Sequence, residues 1–491
     1  MMLLHDWLTK AVKVKGGAKA LVYRDTYLSW RGLSHRVNRR ADEFANIGVR
    51  PGDFVGVMLG NVPDFLILSL ALSKLEAAPL PLDPTTSTRE LEMIMSILPI
   101  RGMITRPRGG DAPLPSLPAT DEEQDSRKPS LETRKRLQGT LLSCSIYDVP
   151  ERDLPRRVTD RIAAVLVTCD SAGDPKPVER TYKNLAVEAN NLIKALELTE
   201  DDRALLTLPL FHSFGFDLGL VAGLASQMTL YLEDEIAPAR IVKLVRDQKI
   251  TVLPSSSVTL FAEIAKLPSV RPFDHKSIRM LSLGSGLSGS VLDVFRKKYG
   301  VRPFSCYHNT ETGTVSIDLA GQSGQTVGKP MEDAEVKITD GTAKKKLPSG
   351  RKGVLWVRSD AVSPLKLCPL PKAGKDVPVG GRDKNGWYRT GDLATIDRAG
   401  RITLKDREDD VVHVEGRRVV LGEVEGCIES FPEVSAAQAD VITDAFGGPM
   451  IVVRVVIKGR LDMDPEIIID HCARHLSPFK VPRRIEICEE L

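Results

Sequence analysis

Apolar runs alternate with amphipathic segments along the first hundred residues. The segment ALVYRDTYLSW (20–30) predicts a strand pair, and RGLSHRVNRRADEFANIG (31–48) has the apolar spacing of an amphipathic helix. Further on, FVGVMLGN (54–61) predicts a buried strand, and PDFLILSLALSKLEAAPLPLDP (63–84) predicts a helix that leads into another strand. This alternation is typical of an α/β fold with a mainly parallel sheet.

The alternation of strands and helices is interrupted at residues 106–160 and ends before the C-terminal segment 409–491. Residues 106–160 are rich in proline, serine and charge, which predicts an insertion whose first half is a mobile surface loop. Regular alternation returns at 161–319, and a compact unit of strands and two helices follows the polar run DREDDVVHVEGRR, a hinge candidate. We therefore predict a large N-terminal domain (1–408) of layered helices and mainly parallel sheets, and a small mobile α+β C-terminal domain (409–491).

Composition narrows the class of protein. A chain of 491 residues is longer than one core usually holds, and a net charge of +3 does not indicate a nucleic acid or a membrane surface as partner. The seven cysteines are scattered without a CxxC pair, which argues against a disulfide framework or zinc site and favours the cytoplasm. The longest nearly uncharged stretch (204–232) is broken by Pro209, His212 and Asp217, so we expect a buried strand and helix and no transmembrane segment.

The segment TCDSAGDPKPVERTYKNL (168–185) has the composition of a phosphate-binding loop. It lies between a predicted buried strand, IAAVLV (162–167), and a predicted helix that begins at Asn184. Such a loop needs backbone N–H groups that turn inward, hydroxyl donors and a flexible cation. Ser171, Gly173 and Lys176 supply these parts, whereas Asp170 has the wrong charge for a phosphate.

This loop and four further segments together resemble the adenylate-forming superfamily, which includes acyl-CoA and aryl-CoA ligases, acyl-carrier-protein synthetases, luciferases and peptide-synthetase adenylation domains. The four segments, in the family's order, are LPLFHSFGF (208–216), SLGSGLSGSVLDVFRKKYGVRPFSCYHNTETG (282–313), GWYRTGDLATIDRAGRITLKDREDDVVHVEGRRVVLGEVE (386–425) and SPFKVPRRIEICEEL (477–491). One such match is weak evidence, but five in order are specific. The resemblance implies an acid–thiol ligase: ATP activates a carboxylic acid as an acyl-adenylate, and the acyl group passes to CoA or to the phosphopantetheine of an acyl carrier protein.

The resemblance also assigns roles to residues near the reacting atoms. Thr310 and Glu311 match the family's Thr-Glu pair, where the hydroxyl meets the α-phosphate and the carboxylate holds Mg²⁺, an ion that prefers oxygen ligands. Lys176 matches the cation of the phosphate loop. His212 matches a residue at the mouth of the acid pocket, where we favour a gating role over that of a hydrogen-bonded core histidine. The motif around it suggests a fatty or other apolar acid, and Asp217 is then an incidental polar residue at a helix start.

Nucleotide contacts follow in the same way. Tyr307 matches an aromatic residue that stacks on adenine, Asp392 a carboxylate that accepts hydrogen bonds from the ribose hydroxyls, and Arg407 a second ribose or phosphate contact. Gly284, Ser285 and Gly286 match a backbone loop along the adenine edge. Asp409 matches the hinge between the domains, and Gly416 matches the loop that lines the tunnel for the thiol.

Departures from the family pattern concern the phosphate loop and the residue after Tyr307. The family usually has a run of Ser, Gly, Thr, Thr and Gly where this chain has CDSAG (169–173). A carboxylate ~5 Å from a phosphate charge costs on the order of 3 kcal/mol at an effective dielectric constant near 20. An outward orientation of Asp170, or a share in the Mg²⁺ of Glu311, would offset this cost. His308 stands where the family has glycine, so either its backbone is strained at positive φ or its imidazole lines the acyl pocket.

Two functional hypotheses remain open at this point. The sequence stops at Leu491, before the family's Gly-Lys pair, and Lys480 is too early to be the adenylation lysine, so either the natural protein continues past this point or that lysine is missing. A missing lysine would weaken the case for adenylation. Together with Asp170, it would favour a protein that has lost adenylation and binds or transfers a preformed acyl-adenylate, acyl-CoA or acyl-carrier protein. Thr310, Glu311 and the ribose contacts favour the ligase, which is the function we predict.

Overall fold

The computed structural model describes most of the chain. The described residues are 3–106, 130–138, 140–148, 162–170, 173–234, 236–255, 258–268, 273, 278–283, 289–320, 326–340, 346–367, 379–408, 411–414, 417–443, 449–458 and 463–488.

Helices occur throughout the described chain. They are α1 (Leu4–Lys15), α2 (Trp30–Asn46), α3 (Pro63–Lys74), α4 (Thr88–Ile97), α5 (Tyr182–Leu196), α6 (Ser213–Gly215), α7 (Gly223–Ser226), α8 (Pro238–Asp247), α9 (Val258–Lys266), α10 (Gly289–Tyr299), α11 (Leu421–Glu429) and α12 (Pro465–His475), with a π-helical segment (Phe216–Ala222) between α6 and α7 and a 3₁₀ turn (Pro478–Lys480). No helix within the described ranges is long and apolar enough to cross a membrane.

The strands alternate with these helices. They are β1 (Lys19–Tyr23), β2 (Thr26–Ser29), β3 (Phe54–Met58), β4 (Ala78–Leu82), β5 (Ile100–Thr105), β6 (Ser130–Arg136), β7 (Ser143–Asp148), β8 (Ile162–Cys169), β9 (Pro175–Thr181), β10 (Arg203–Leu206), β11 (Thr229–Leu232), β12 (Val252–Ser255), β13 (Arg279–Leu283), β14 (Phe304–Asn309), β15 (Gly313–Ile317), β16 (Lys329–Pro330), β17 (Glu335–Thr339), β18 (Gly353–Arg358), β19 (Tyr388–Ile396), β20 (Ile402–Arg407), β21 (Val411–Val414), β22 (Arg417–Val420), β23 (Val434–Thr443), β24 (Pro449–Ile457) and β25 (Arg484–Cys488).

A nine-stranded sheet forms the centre of the large N-terminal part, in the order β16-β15-β14-β13-β12-β10-β11-β1-β2. Its middle strands are parallel, and the strands at its two edges are antiparallel. Parallel neighbours require crossover connections, which the intervening helices supply. The α/β fold predicted from the alternating pattern is confirmed, and the buried strand and helix expected at 204–232 are β10, the helical segment 213–226 and β11.

A second sheet has the order β4-β3-β5-β7-β6. Its strands β6 and β7 lie in the segment expected to be an insertion, and β7 pairs antiparallel with β5. The second half of that segment therefore extends the sheet, whereas the predicted surface loop of its first half lies outside the described residues.

The phosphate-loop segment is the turn of an antiparallel hairpin. Strand β8 pairs with β9, so that Thr168 lies opposite Lys176 and Cys169 opposite Pro175. The hairpin leads directly into α5, whose N-terminus is capped by the Thr181 hydroxyl, which accepts the N–H of Asn184 at 3.1 Å. The strand, loop and helix predicted here are confirmed.

The last part of the chain has a core of its own. Strands β23, β24 and β25 form a three-stranded sheet, β21 and β22 form a separate hairpin, and α11 and α12 pack beside them. The core includes Val419, Ile428, Val453 and Ile468, all fully buried. A four-stranded antiparallel sheet, β17-β18-β19-β20, precedes this unit and carries two of the predicted nucleotide residues on β19 and β20.

Candidate active site

Six of the predicted site residues line one cavity: Gly173, His212, Tyr307, Thr310, Asp392 and Arg407. It has a volume of about 780 Å³ and is lined by the β8–β9 turn, the start of α6, the end of β14, strands β19 and β20, and parts of the C-terminal unit. Because the carboxyl ends of parallel strands meet at one edge of a sheet, Leu283 at the end of β13 and Thr310 after β14 both reach this position.

The phosphate-loop turn depends on a glycine and on the aspartate. Gly173 has φ of +92°, and a Cβ atom there would lie 3.1 Å from Cβ of Glu423 on α11, so both the conformation and the space require glycine. The Asp170 side chain accepts the N–H of Asp174 at 3.1 Å, and the Asp170 N–H donates to the Asp174 carbonyl at 3.0 Å. Its carboxylate thus helps to close the turn, which agrees with the orientation that would reduce repulsion of a phosphate.

Glu311 is the anionic centre of the site. Its side chain is fully buried, and its Oε1 accepts hydrogen bonds from Lys176 at 3.0 Å and from Arg418 at 3.1 Å. Burial alone would raise the pKa of this carboxyl, but Arg418 and Lys176 outweigh it and lower the pKa well below its ordinary value. The carboxylate is therefore ionised throughout the neutral range.

An ionised carboxylate at this place suits a divalent cation. The second oxygen of Glu311, Oε2, is buried and makes no hydrogen bond with the described residues. A buried anionic oxygen without a donor is the type of ligand that Mg²⁺ takes. Glu311 therefore fits the predicted metal role, although Arg418 now lies on its other oxygen.

Lys176 is anchored rather than free. It lies in strand β9 and is 3% exposed, and besides Glu311 its Nζ contacts the carbonyl of Gly380 at 3.2 Å. A cation in the loop was expected to be flexible. Two of the three ammonium protons are thus used, and the third is the one that a phosphate could accept without displacing a partner.

Three predicted nucleotide residues contact one another. Arg407 Nη1 donates to Oδ1 of Asp392 at 2.5 Å, because the two residues are paired across strands β19 and β20. The Tyr307 hydroxyl donates to Oδ2 of Asp392 and accepts a hydrogen bond from Asn309 at 2.6 Å. Burial and the Asp392 charge raise the pKa of Tyr307 well above its ordinary value, so the phenol keeps its proton. Their contacts with a nucleotide stay predictions.

His212 and Thr310 both line the cavity. The His212 ring accepts the N–H of Phe214 through Nδ1 at 3.2 Å, which caps the short helix α6. Its side chain is half-buried, as a residue at a pocket mouth would be. The gating role of His212 and the phosphate contact of Thr310 remain predictions.

His308 lines the cavity and is not strained. It lies in strand β14 and is absent from the residues with positive φ, so the explanation by backbone strain is wrong. Its place in the cavity wall agrees with the alternative, and the binding of an acyl group there stays a prediction. Its Nε2 is 3.0 Å from the Ser213 hydroxyl and its Nδ1 is 3.3 Å from that of Thr314, while its ring centroid is 5.1 Å from that of Phe214. Burial lowers the pKa of His308 well below its ordinary value, so the imidazole is neutral.

A buried charged cluster behind the cavity was missed by sequence reasoning. Asp217, expected to be incidental, forms a fully buried ion pair with Arg180 at 2.9 Å, and Arg180 also donates to the carbonyl of Thr310 at 3.3 Å. Next to this pair, Glu188 accepts the Thr314 hydroxyl at 2.6 Å. A charge inside an apolar segment such as FGFDLGLVAGL (214–224) was the available signal, because a buried charge needs a partner.

Side chains of the C-terminal unit close the cavity. Lys480 binds Glu90 at 2.5 Å and Glu423 at 2.8 Å, and Arg417 binds Asp83. Lys480, too early for the adenylation role, is thus an ion-pair residue between α4 and α11.

The β21–β22 hairpin reaches furthest into the site. It contributes Arg418, whose carbonyl accepts the Cys169 thiol at 3.6 Å, and His413, which lines the cavity. Six predicted site residues lie outside the described residues: Ser171, Gly284, Ser285, Gly286, Asp409 and Gly416.

The fold and this site define an adenylate-forming enzyme. The family model described as "AMP-binding enzyme" matches residues 8–364, and the chain belongs to this family. The curated relatives include a feruloyl-CoA synthase from Amycolatopsis sp., 25% identical over 99% of this chain and 95% of its own, and a 2-succinylbenzoate–CoA ligase from Listeria innocua, 23% identical over 99% of this chain and 96% of its own. These relatives are CoA ligases, the acid–thiol ligase class expected from the motifs.

Solved structures match over the whole length. The amide bond synthetase McbA from Marinactinospora thermotolerans has a TM-score of 0.79 at 22% identity, covering 99% of this chain and 96% of that one. A double mutant of o-succinylbenzoate CoA synthetase (MenE) from Bacillus subtilis, bound with its product analogue OSB-NCoA, has a TM-score of 0.77 at 21% identity and covers 99% of this chain and 95% of its own. MenE in complex with AMP, with the same identity and coverage, has a TM-score of 0.65. The overall arrangement of this chain is therefore closer to MenE bound with the product analogue than to MenE in complex with AMP.

Proposed function

We propose that the protein is an ATP-dependent acid–CoA ligase that forms an acyl-adenylate and then transfers the acyl group to a thiol. The observation that carries this proposal is the meeting of Thr310, Tyr307, Asp392 and Arg407 around one cavity with ionised Glu311 beside it. A protein that binds no nucleotide would not need a carboxylate for the ribose together with a carboxylate for Mg²⁺. Relatives that are CoA ligases by name, the feruloyl-CoA synthase and the 2-succinylbenzoate–CoA ligase, support the same class.

The first half-reaction, adenylation, uses the residues that face the nucleotide. Asp392 orients the ribose, Thr310 lies beside the α-phosphate, and Glu311 would hold Mg²⁺, which neutralises phosphate charge. Binding of the ribose hydroxyls requires Asp392 to share or exchange its present donors, Arg407 and Tyr307.

The small domain, 409–491, turns about Asp409 between the two half-reactions in this proposal. The contact between Arg418 and Glu311 at 3.1 Å belongs to the thiol-transfer arrangement, because the guanidinium charge on one carboxylate oxygen repels a cation from the other. The higher TM-score with the MenE structure that holds a CoA product analogue supports this assignment. Withdrawal of the β21–β22 hairpin then allows Mg²⁺ and ATP to bind.

We propose an apolar acid as the substrate, fatty or aromatic, and CoA as the acceptor, with carrier-protein phosphopantetheine as the other candidate thiol. Phe211, Leu283 and the neighbouring His308 give the acid end of the cavity an apolar wall with few polar atoms. Because His308 carries a side chain where glycine would leave space, a compact acyl group fits better than a long one. The names of the feruloyl and succinylbenzoate relatives support an aromatic acid within this class.

The first experiment is calorimetric titration of Mg·ATP into three proteins: unaltered, Asp170→Asn and Asp170→Gly. The asparagine variant keeps an oxygen for the Asp174 N–H and removes only the charge. Micromolar binding by the unaltered protein supports the ligase. Binding by the variants alone would mean that the charge disables the loop, since ~3 kcal/mol corresponds to more than a hundredfold in affinity.

Thioester formation is then assayed with ATP, CoA and a panel of acids: dodecanoic, benzoic and ferulic. Thioester from any of them supports the ligase, and the preferred acid selects between the fatty and the aromatic class. No thioester with ATP, but thioester from preformed acyl-adenylates, would select the transferase without adenylation. No thioester from either source would overturn the proposal.

A further inference from the structure

A chain of hydrogen bonds leads from the cavity into the charged cluster behind it. The Thr310 hydroxyl is 3.2 Å from that of Ser213, which is 3.0 Å from Nε2 of His308. On the other side of the ring, Nδ1 is 3.3 Å from the Thr314 hydroxyl, which is 2.6 Å from Oε1 of Glu188. Every member is buried apart from Thr310, which lines the cavity.

Glu188 fixes the direction of this chain. An ionised carboxylate only accepts, so the Thr314 hydroxyl donates to it and accepts from His308 Nδ1–H. Nε2 is then the acceptor for the Ser213 hydroxyl, which in turn accepts from Thr310. The Thr310 oxygen is left with lone pairs that can take a proton from the cavity side.

The surroundings of Glu188 let it take a proton near neutral pH. Two carboxylates, Glu188 on α5 and Asp217 on the π-helical segment, share one cation, Arg180 on β9, while β14 and β15 contribute His308 and Thr314. Burial, and next the Asp217 charge, raise the pKa of Glu188 to about 7. A group with such a pKa is well matched to accept a proton at the pH of the cell.

We propose that Glu188 is the final acceptor of the proton that the thiol loses when it attacks the acyl-adenylate. This inference rests on the proposed function. The sulfur forms a bond to the acyl carbon, and the bond between that carbon and the phosphate oxygen breaks, so that AMP leaves with its electron pair.

The proton of the S–H group moves by successive short transfers. It binds the Thr310 oxygen, whose own proton passes to Ser213, and that of Ser213 passes to Nε2 of His308. The Nδ1 proton then passes to Thr314, and the Thr314 proton to Glu188. Every hydrogen bond of the relay now points the other way, and the Thr310 hydroxyl donates toward the cavity. After AMP has left, the proton on Glu188 returns along the relay and passes from Thr310 to water, which restores the original directions.

Other bases near the cavity suit this role less well. His308 is neutral because burial lowers its pKa, so it can pass a proton but not keep one. His413, on β21, is exposed and lies outside this hydrogen-bonded chain. Glu188 is a positioning and proton-accepting residue that acts through its neighbours, not a group that touches the substrate.

The test separates the two half-reactions. Thioester formation from presynthesised dodecanoyl-adenylate and feruloyl-adenylate with CoA is followed in single turnovers between about pH 5.5 and 9, and adenylate formation from acid and Mg·ATP is measured separately. The proteins are unaltered, Glu188→Gln, Thr314→Val and Thr314→Ser. Ser316→Ala is the matched control, because it removes from the same strand a buried hydroxyl that has no hydrogen-bond partner among the described residues.

We expect the thiol step of the unaltered protein and of Ser316→Ala to rise with pH through about 7. Glu188→Gln and Thr314→Val should lose that rise and be slower by ~10²-fold at high pH, the usual contribution of a general base. Adenylate formation should change less than about threefold, and Thr314→Ser should restore the thiol step.

The alternatives give different results. If the unaltered protein forms thioester and the two chain-breaking variants keep its rate and pH profile, the relay is wrong and the ligase stands. If the variants slow both half-reactions equally, Glu188 and Thr314 have a structural role only. If the unaltered protein forms no thioester from either adenylate, the proposed function fails and the relay with it. Should Glu188→Gln not fold, the comparison of Thr314→Val with Thr314→Ser decides.

Discussion

The buried carboxyl of Glu188 should make the stability of the protein fall as pH rises. Its pKa is raised from 4.5 to about 7, by burial and then by the Asp217 charge. Between these two values the folded state keeps a proton that the unfolded chain has lost, so stability is full below about pH 4.5, declines through this window and is constant above it. A shift of this size corresponds to about 3 kcal/mol.

Glu188→Gln removes the titration and keeps the shape and the acceptor for Thr314. Between about pH 5.5 and 9 the unaltered protein should lose ~2 kcal/mol of unfolding free energy relative to the variant, because about one unit of the window lies below this range. Urea unfolding followed by circular dichroism at four or five pH values measures the difference, and Glu200→Gln, an exposed carboxylate, is the control. Parallel curves for the unaltered protein and Glu188→Gln would refute the reasoning.

Three other perturbations test other contacts. Lys480→Gln leaves two half-buried carboxylates without their cation and should make the C-terminal unit easier to cleave in limited proteolysis; an unchanged digestion rate would contradict this. Gly328→Ala places a Cβ 2.1 Å from the Ile317 carbonyl at a φ of +84°, and should lower the unfolding free energy by more than ~1 kcal/mol in urea titrations. Asp392→Asn weakens charge-assisted hydrogen bonds and should reduce AMP affinity by ~10-fold in calorimetry, with Asp397→Asn, on an exposed turn, expected to bind normally.

Local patterns and motif order predicted the elements and part of the site. The apolar run IAAVLV (162–167) is strand β8, and the helix expected after it is α5, because short-range periodicity decides these elements. Asp392 and Arg407, both identified from one motif, are cross-strand partners. Such pairs can be found from sequence because a single hairpin brings them together.

Contacts between distant segments could not be found in this way. Arg180 and Asp217 are 37 residues apart, and Glu188 meets Thr314 across 126 residues. Arg180 lies in the phosphate-loop segment (168–185), but Asp217, Glu188 and Thr314 lie outside the matched segments, and no periodicity links either pair. His308 shows the same limit, because whether an imidazole in place of glycine strains the backbone or packs against Phe214 depends on the three-dimensional course of β14.

Glu311 has partners from both parts of the chain, Lys176 from the large domain and Arg418 from the small one. Under the proposed function, the contact with Arg418 prevents the adenylation step from being reversed once the small domain has turned. While Arg418 is on the carboxylate, magnesium pyrophosphate has no complete site to return to, so the acyl-adenylate is protected from reversal while the thiol approaches. Addition of pyrophosphate should then consume the adenylate only when the hairpin is withdrawn, and CoA should shield it.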